Sequence, residues 1–234
     1  MHMRTKKWAK PELAVCPYFT DEPETKRGRW RAQFEREQPL YLELGCGKGV
    51  STAAMVKDNP TINYVAVDIT CNVLGDTRRN IEKAFDGEPV KNVIIARYDI
   101  SYIEKVFAPE DRVERIYINF CNPWSKNAGS NKHRLTHPRQ LLQYRQLMDE
   151  GAEIWFKTDN DPLFAFSLEQ FEQEGWQLRE VTHDLHADGP VGVMTDYEAK
   201  FYDQGITINR CVAVKTEDTK CDLYPGMSTD CAPV

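Results

Sequence analysis

Apolar and polar positions alternate along the middle of the chain in a pattern that predicts strands and helices in turn. Apolar runs rich in β-branched residues predict strands near Leu40–Leu44, Tyr64–Asp68, Asn92–Arg97, Arg115–Phe120 and Ala152–Lys157. Segments with helical periodicity lie between or after them, at Ser51–Asp58, Asn72–Phe85, Pro138–Asp149 and Pro162–Gly175. Such alternation is typical of an α/β protein with a mostly parallel sheet, and strands this apolar indicate helices on both faces. Two later runs, Gln177–Asp184 and Ile206–Val214, would complete one edge as an antiparallel pair and bring the sheet to seven strands.

Charge and polarity divide the chain into three predicted parts. Residues 1–36 carry nine Lys and Arg against five Asp and Glu, which predicts a basic N-terminal arm. Residues 37–214 contain all of the predicted sheet and form one domain. Residues 215–234 are polar and include Pro225, Gly226 and Pro233, so we expect a flexible tail.

Composition is that of an ordinary globular protein, with 41% hydrophobic and 28% charged residues. The N-terminus has no apolar signal segment, and no run of about 18 apolar residues occurs, so we expect a cytoplasmic protein that binds no membrane. The seven cysteines are scattered and include no C-x-x-C pair, which indicates reduced thiols. The histidines do not fall at metal-ligand spacing, and we expect no metal site.

The most informative motif is Glu43-Leu-Gly45-Cys-Gly47-Lys-Gly49, which follows the first predicted strand. Glycines at alternate positions allow a strand-to-helix turn to approach a ligand closely. A phosphate would be repelled by Glu43, whereas the sulfonium and amino groups of S-adenosylmethionine suit a carboxylate. Asp68, at the end of the next strand, is placed to accept hydrogen bonds from ribose hydroxyls. The alternative is a glycine-rich turn in an unrelated α/β protein.

Further motifs resemble the bacterial tRNA (guanine-N7-)-methyltransferases. They are Arg4-Thr-Lys-Lys-Trp8, Lys26-Arg-Gly28-Arg-Trp30, Asn122-Pro123-Trp124, Phe156-Lys157-Thr158-Asp159 and Thr195-Asp196-Tyr197-Glu198. The resemblance covers nearly the whole chain. It implies a Rossmann-like class I methyltransferase fold and methyl transfer from S-adenosylmethionine to N7 of guanine 46 in the tRNA variable loop. We expect a monomer with tRNA as its partner.

The resemblance also implies roles for individual residues. Cofactor positions are Glu43, Gly45, Gly47, Gly49, Asp68 and Asp99, and Asn122 lies at the junction of cofactor and substrate as the catalytic position. Substrate positions are Lys126, Asp159, Thr195, Asp196, Tyr197 and Glu198. The stretch Ala128–Arg134 matches the loop that contacts RNA, through Lys132, His133 and Arg134.

One departure from the family pattern bears on the chemistry, because Asn122 stands where the family usually has an aspartate. Guanine N7 has a free lone pair and no proton, so the reaction needs alignment rather than a general base. Asn122 lacks the charge that would favour a cationic product ring, and Asp159 or Glu198 could supply that charge and accept the N1–H and N2–H of guanine. Two alternatives stay open: a non-catalytic RNA-binding protein that keeps the fold, and a methyltransferase for another RNA or a small molecule.

Overall fold

The structure, a computed structural model, describes residues 5–125 and 128–219 as an α/β fold. In chain order the elements are α1 (Ala9–Ala14), β1 (Phe19–Thr20), β2 (Leu40–Leu44), α2 (Val50–Asp58), β3 (Asn63–Asp68), α3 (Cys71–Phe85), β4 (Val93–Arg97), β5 (Val113–Asn119), α4 (Pro138–Leu147), β6 (Glu153–Thr158), α5 (Asp161–Gln173), β7 (Gln177–Thr182), α6 (Asp196–Asp203) and β8 (Asn209–Val214). Short 3-10 helices occupy several of the connections.

The strands form one sheet in the order β1-β4-β3-β2-β5-β6-β8-β7. All neighbouring strands are parallel except that β8 runs antiparallel to both β6 and β7, which confirms the predicted sheet and its antiparallel edge. The sheet has eight strands rather than the predicted seven. The additional strand, β1, pairs with β4 through only Phe19 and Thr20, and two residues are too few to produce a periodic pattern.

Helices cover both faces of the sheet, as predicted. Successive residues of a strand point to opposite faces, and β3 shows this directly. Tyr64 and Ala66 belong to a buried cluster that includes Leu74 of α3, whereas Val65 belongs to a second cluster that includes Tyr144 of α4. No helix in the described ranges is both long and apolar enough to cross a membrane.

The segment before β2 packs against the rest of the fold. Helix α1 lies against α3 and buries Leu13. Trp30 is fully buried; its indole Nε1 donates to the carbonyl of Val106 at 2.8 Å, and its ring stacks on Phe107 at 5.0 Å between centroids. The buried Asp111 accepts from the backbone N–H groups of both Gly28 and Trp30, at 2.9 Å each. Most of the predicted tail lies outside the described residues.

Candidate active site

A cavity of about 860 Å³ lies beyond the carboxyl ends of β2, β3 and β5, where parallel α/β sheets place their ligands. Its lining includes Glu43, Gly45, Gly47, Gly49, Asp68, Asp99, Ser101, Asn119, Phe120, Cys121, Asn122, Trp124, His133, Leu135, Thr195, Asp196, Tyr197 and Lys200. The predicted cofactor positions and much of the predicted substrate site therefore share one cavity.

The three glycines of the loop have left-handed backbones, with φ of +81° at Gly45, +57° at Gly47 and +66° at Gly49. A Cβ on Gly45 or Gly47 would meet no atom within 4 Å, and both residues line the cavity. A Cβ on Gly49 would instead lie 2.3 Å from Cγ2 of Thr77. The first two glycines thus leave room for a ligand, and the third leaves room for helix α3.

Helix α3 holds the loop through two polar side chains that the sequence analysis missed. Thr77 donates its hydroxyl to the carbonyl of Gly47 at 2.8 Å, and Asn80 donates its amide to the carbonyl of Lys48 at 2.9 Å. The N–H of Gly47 donates to Oδ2 of Asp68 at 3.2 Å. These bonds fix the loop from two sides. The available signal was the placement of Thr77 and Asn80 three positions apart, on one side of the second helix after the glycine loop.

Glu43 is buried at the end of β2 and is surrounded by neutral donors. Its Oε2 accepts from the hydroxyl of Thr52 at 2.5 Å and from the phenol of Tyr64 at 3.2 Å, and its Oε1 accepts from the amide of Asn119 at 3.5 Å. Burial raises the pKa of Glu43 above its ordinary value of 4.5, and the hydrogen bonds oppose that shift. A buried carboxylate of this kind favours a cationic ligand in the adjoining cavity.

We expect the affinity for S-adenosylmethionine to rise with pH through the raised pKa of Glu43, because protonation below that pKa removes the charge that attracts the cationic ligand. Titration calorimetry between about pH 5 and pH 8 would measure this dependence. Glu43→Gln should remove the pH dependence of this affinity that comes from protonation of Glu43. A Glu43→Gln protein with the native pH profile would contradict the assignment.

Asp68 and Asp99 end or follow neighbouring strands and both line the cavity. Asp68 also accepts at Oδ1 from the N–H of Thr70 at 3.0 Å, and burial raises its pKa. Asp99 accepts at Oδ1 from the N–H of Ser101 at 3.0 Å and so begins a short 3-10 helix. Bonds from backbone N–H groups hold each carboxylate in position, which preorganises it for donors on a ligand.

Asn122 lies on an exposed turn after β5, between two residues with left-handed backbones. Phe120 has φ +50° and Trp124 has φ +49°, which is unusual for non-glycine residues and costs roughly 1–2 kcal/mol each. Oδ1 of Asn122 accepts from the N–H of Trp124 at 3.0 Å. The ring of Phe120 packs against Tyr197 of α6, with 6.4 Å between centroids, so this turn and α6 lie side by side on the cavity lining.

The predicted RNA-contacting residues divide into two groups. Lys132 and His133 are exposed, and the His133 ring lies 4.9 Å from that of Trp124. Arg134, in contrast, is only 8% exposed; its Nε donates to the carbonyl of Pro123 at 2.9 Å, and its guanidinium lies 4.4 Å above the ring of Phe166. The expectation that Arg134 contacts RNA is therefore corrected, because its buried head supports the Asn122 turn. The sequence shows only that these residues are basic, so it cannot distinguish an exposed side chain available to RNA from a buried one that supports a turn.

Substitutions of Lys132 and Arg134 should have different effects on the salt dependence of RNA binding. The role that the resemblance implies for Lys132 is a phosphate contact, so Lys132→Gln is expected to reduce the slope of log affinity for tRNA against log salt by about 0.7. Arg134→Gln should leave that slope unchanged while lowering the methylation rate, since it loosens the turn. Filter-binding titrations at several salt concentrations would measure both slopes. A smaller slope in Arg134→Gln would contradict the structural role.

The predicted substrate residue Glu198 is fully buried. Its carboxylate accepts from Nζ of Lys157 at 2.9 and 3.0 Å, lies 3.0 Å from Nε2 of His186, and accepts from the N–H of Thr195 at 3.1 Å. The hydroxyl of Thr195 accepts from the N–H of Glu198 at 3.0 Å, which closes a capping box at the start of α6. These contacts correct the expectation that Glu198 accepts the N1–H and N2–H of guanine, because its oxygens are already occupied.

The other predicted substrate residues are distributed around the site. Asp196 and Tyr197 begin α6 and line the cavity, with Tyr197 61% exposed. Asp159 is exposed just beyond β6 and lies outside the cavity lining. Lys126 lies outside the described residues. Within the described parts of the chain, no three His, Cys, Asp or Glu side chains form a group suited to a metal ion.

Comparison with known proteins places this site in a family. A family model described as a putative methyltransferase matches residues 37–211. A tRNA (guanine-N(7)-)-methyltransferase of Clostridium botulinum strain Eklund 17B is 46% identical over 220 residues, which are 93% of this chain and 100% of that protein. The chain belongs to the tRNA (guanine-N(7)-)-methyltransferase family. The family member of Acetivibrio thermocellus is 40% identical over 218 residues, 92% of this chain and 100% of that protein.

Solved structures show the fold of this methyltransferase. An antibiotic-related methyltransferase aligns with a TM-score of 0.55 at 13% identity, covering 92% of this chain and 96% of the other. A 16S rRNA (adenine(1408)-N(1))-methyltransferase variant from Catenulisporales acidiphilia, solved with its cosubstrate SAM, aligns with a TM-score of 0.55 at 15% identity, covering 85% and 93%. The fold is that of class I methyltransferases.

Proposed function

We propose that this methyltransferase transfers a methyl group to N7 of guanine 46 in the variable loop of tRNA. The observation that carries the proposal is the single cavity that joins the glycine loop after β2 to the Asn122 turn and the start of α6. Sequence identity of 46% along the full length of a tRNA (guanine-N(7)-)-methyltransferase supports the same acceptor.

The residues of the cavity fit S-adenosylmethionine. When bound, it supplies an electrophilic methyl group on a sulfonium centre that leaves as a neutral thioether. Gly45 and Gly47 leave the space beside the backbone free, and Asp68 offers an acceptor for ribose hydroxyls. Glu43 places a buried negative charge at the end of β2. We assign Asp99 to the cofactor as well, since it lines the same cavity from the end of the neighbouring strand.

The acceptor side of the cavity suits an unstacked base. Trp124 is 39% exposed and forms a pair of rings with His133 that a guanine could stack against. No residue is needed to remove a proton from guanine N7, and alignment of the lone pair with the methyl group is the main task. The carboxylate of Asp196 lines this part of the cavity and would favour the positive charge that develops on the ring.

Other cavity groups are poor candidates for covalent catalysis. Burial raises the pKa of the Cys121 thiol to about 12, so the thiolate is scarce at neutral pH. We therefore propose direct transfer, with Asn122 positioned between donor and acceptor. Thr195 and Glu198 contribute by holding the first turn of α6, which carries Asp196 and Tyr197.

We assign Asp159, Lys126 and Lys132 to contacts with the rest of the tRNA, and His133 to RNA contact at the target base. We also propose that the protein acts in the cytoplasm, which the free thiols of the five cysteines in the described residues support. A monomer is proposed because one chain supplies the whole lining of the cavity.

The proposal is tested by incubating the protein with unmodified tRNA and S-adenosylmethionine carrying a labelled methyl group, and then mapping the modified nucleotide. Label at N7 of guanine 46 is the expected result. Label at another nucleotide would favour a methyltransferase with a different RNA target. Binding of tRNA without transfer of label would favour a non-catalytic RNA-binding protein.

A further inference from the structure

The side-chain amide of Asn122 has one defined orientation. Its Oδ1 accepts from the N–H of Trp124 at 3.0 Å. Rotating the amide by half a turn would set its NH2 group against that N–H, two donors facing each other, so the oxygen must stay where it is. The Nδ2 group has no acceptor among the described residues, and Asn122 is exposed on the cavity lining. Asn122 therefore offers hydrogen-bond donors to a ligand, and its acceptor is already used.

The turn that carries Asn122 is held on both sides. Arg134 donates to the carbonyl of Pro123 at 2.9 Å, and the hydroxyl of Ser130 donates to the carbonyl of Trp124. Pro123 fixes its own φ, and Trp124 is kept in a left-handed backbone. The donor of Asn122 is thus set in place before a base arrives, which is how a short polar contact gains selectivity.

We propose that Nδ2 of Asn122 donates a hydrogen bond to O6 of the target guanine and so acts as a specificity-determining residue. This inference rests on the proposed function. Guanine presents two acceptors on the edge that carries the reacting atom, N7 and O6, whereas adenine presents N7 and an amino donor. A donor-only group beside N7 pairs with guanine and faces a second donor in adenine. With adenine in the site, the Asn122 amide and the adenine amino group would both lack an acceptor. Sites that hydrogen-bond a substrate group discriminate strongly against bases that leave such groups unpaired.

This contact gives a physical meaning to the amide at position 122. An aspartate there is isosteric and could accept from the N–H of Trp124 in the same way, but its second oxygen has no hydrogen to donate. The carboxylate would also favour the cationic product ring. Total turnover of an Asn122→Asp protein combines these opposite effects, so the contact must be measured by changing the base as well.

The test compares the native protein and Asn122→Asp on three tRNAs that differ only at the methylated position. They carry guanosine, inosine or 2-aminopurine, and all three keep N7. Inosine keeps O6 and lacks only the 2-amino group, whereas 2-aminopurine lacks O6. The readout is kcat/KM for transfer of labelled methyl to that nucleotide. Because 2-aminopurine also lacks N1–H in both proteins, only the difference between the proteins reports the O6 contact.

In the native protein the ratio of kcat/KM for guanosine to that for 2-aminopurine should be about tenfold larger than in Asn122→Asp, as for loss of one neutral hydrogen bond. The ratio for guanosine to inosine should be the same in both proteins. This inference alone would be overturned if the ratio of kcat/KM for guanosine to that for 2-aminopurine were the same in both proteins while the native protein methylated guanosine normally. No transfer to guanosine by the native protein would overturn the proposed function, and this inference with it.

Discussion

Glu198→Gln is expected to lower the free energy of unfolding by about 3 kcal/mol, among the largest effects of any single substitution in this protein. Glu198 is fully buried, and its partner Lys157 is only 11% exposed in its side chain. Removing the carboxylate charge leaves the ammonium of Lys157 buried without its counter-charge. The capping box with Thr195 is weakened as well. Urea denaturation followed by circular dichroism would measure the change.

Glu82→Gln is the matched control. Glu82 forms a partly exposed ion pair with Arg78 one helical turn away on α3, at 2.7 Å, and its loss should change the free energy of unfolding by no more than about 0.5 kcal/mol. If both glutamine variants unfolded at the same urea concentration, the cluster of Lys157, His186 and Glu198 would stabilise the protein no more than a partly exposed ion pair does.

Gly49→Ala is expected to destabilise the protein by about 2–5 kcal/mol. A left-handed backbone of φ +66° disfavours any residue with a Cβ, at about 1–2 kcal/mol. The new Cβ would also lie 2.3 Å from Cγ2 of the buried Thr77, so helix α3 or the loop must shift. Crowding of this kind adds about 1–3 kcal/mol. Thermal unfolding of the protein alone would show the loss as a lower Tm.

Alanine substitutions at two other glycines separate the cost of the left-handed backbone from the crowding against Thr77. Gly87→Ala, at φ +84° with no atom within 4 Å of the added Cβ, should show only the backbone part of the loss. Gly47→Ala has the same open surroundings but lines the cavity, so it should lose affinity for S-adenosylmethionine in addition. A Gly49→Ala protein no less stable than Gly87→Ala would show that Thr77 does not restrict the loop.

Much of the fold could be predicted because its signals are local. The long apolar strands and the amphipathic helices between them carry periodicities that survive in a single sequence. Helices α1 and α6 were missed, since each covers at most eight residues and draws its stability from tertiary contacts. Helix α4 ends at Leu147, two residues earlier than predicted, and Gly151 beyond it has a left-handed backbone of φ +84°.

The site was predictable in its residue types and less so in their uses. Glu43, the glycine loop and the Asn122 turn line one cavity because parallel strands bring their carboxyl ends together. Glu198 and Arg134 are charged residues in the expected motifs, yet burial assigns both to supporting other elements. Which partner a charged side chain finds depends on contacts distant in sequence, such as Lys157 with Glu198. The donor orientation of Asn122 depends in the same way on a bond that only the folded turn reveals.

The central claim is that the cavity directs methyl transfer to N7 of guanine 46 in tRNA. Its most direct test is a single-turnover assay with two otherwise identical unmodified tRNAs, one with guanosine and one with 7-deazaguanosine at position 46. Replacing N7 by a C–H group removes the proposed nucleophile and leaves the Watson–Crick edge and O6 intact. We predict transfer of labelled methyl to the guanosine tRNA and none to the 7-deazaguanosine tRNA. Equal labelling of both would contradict the claim.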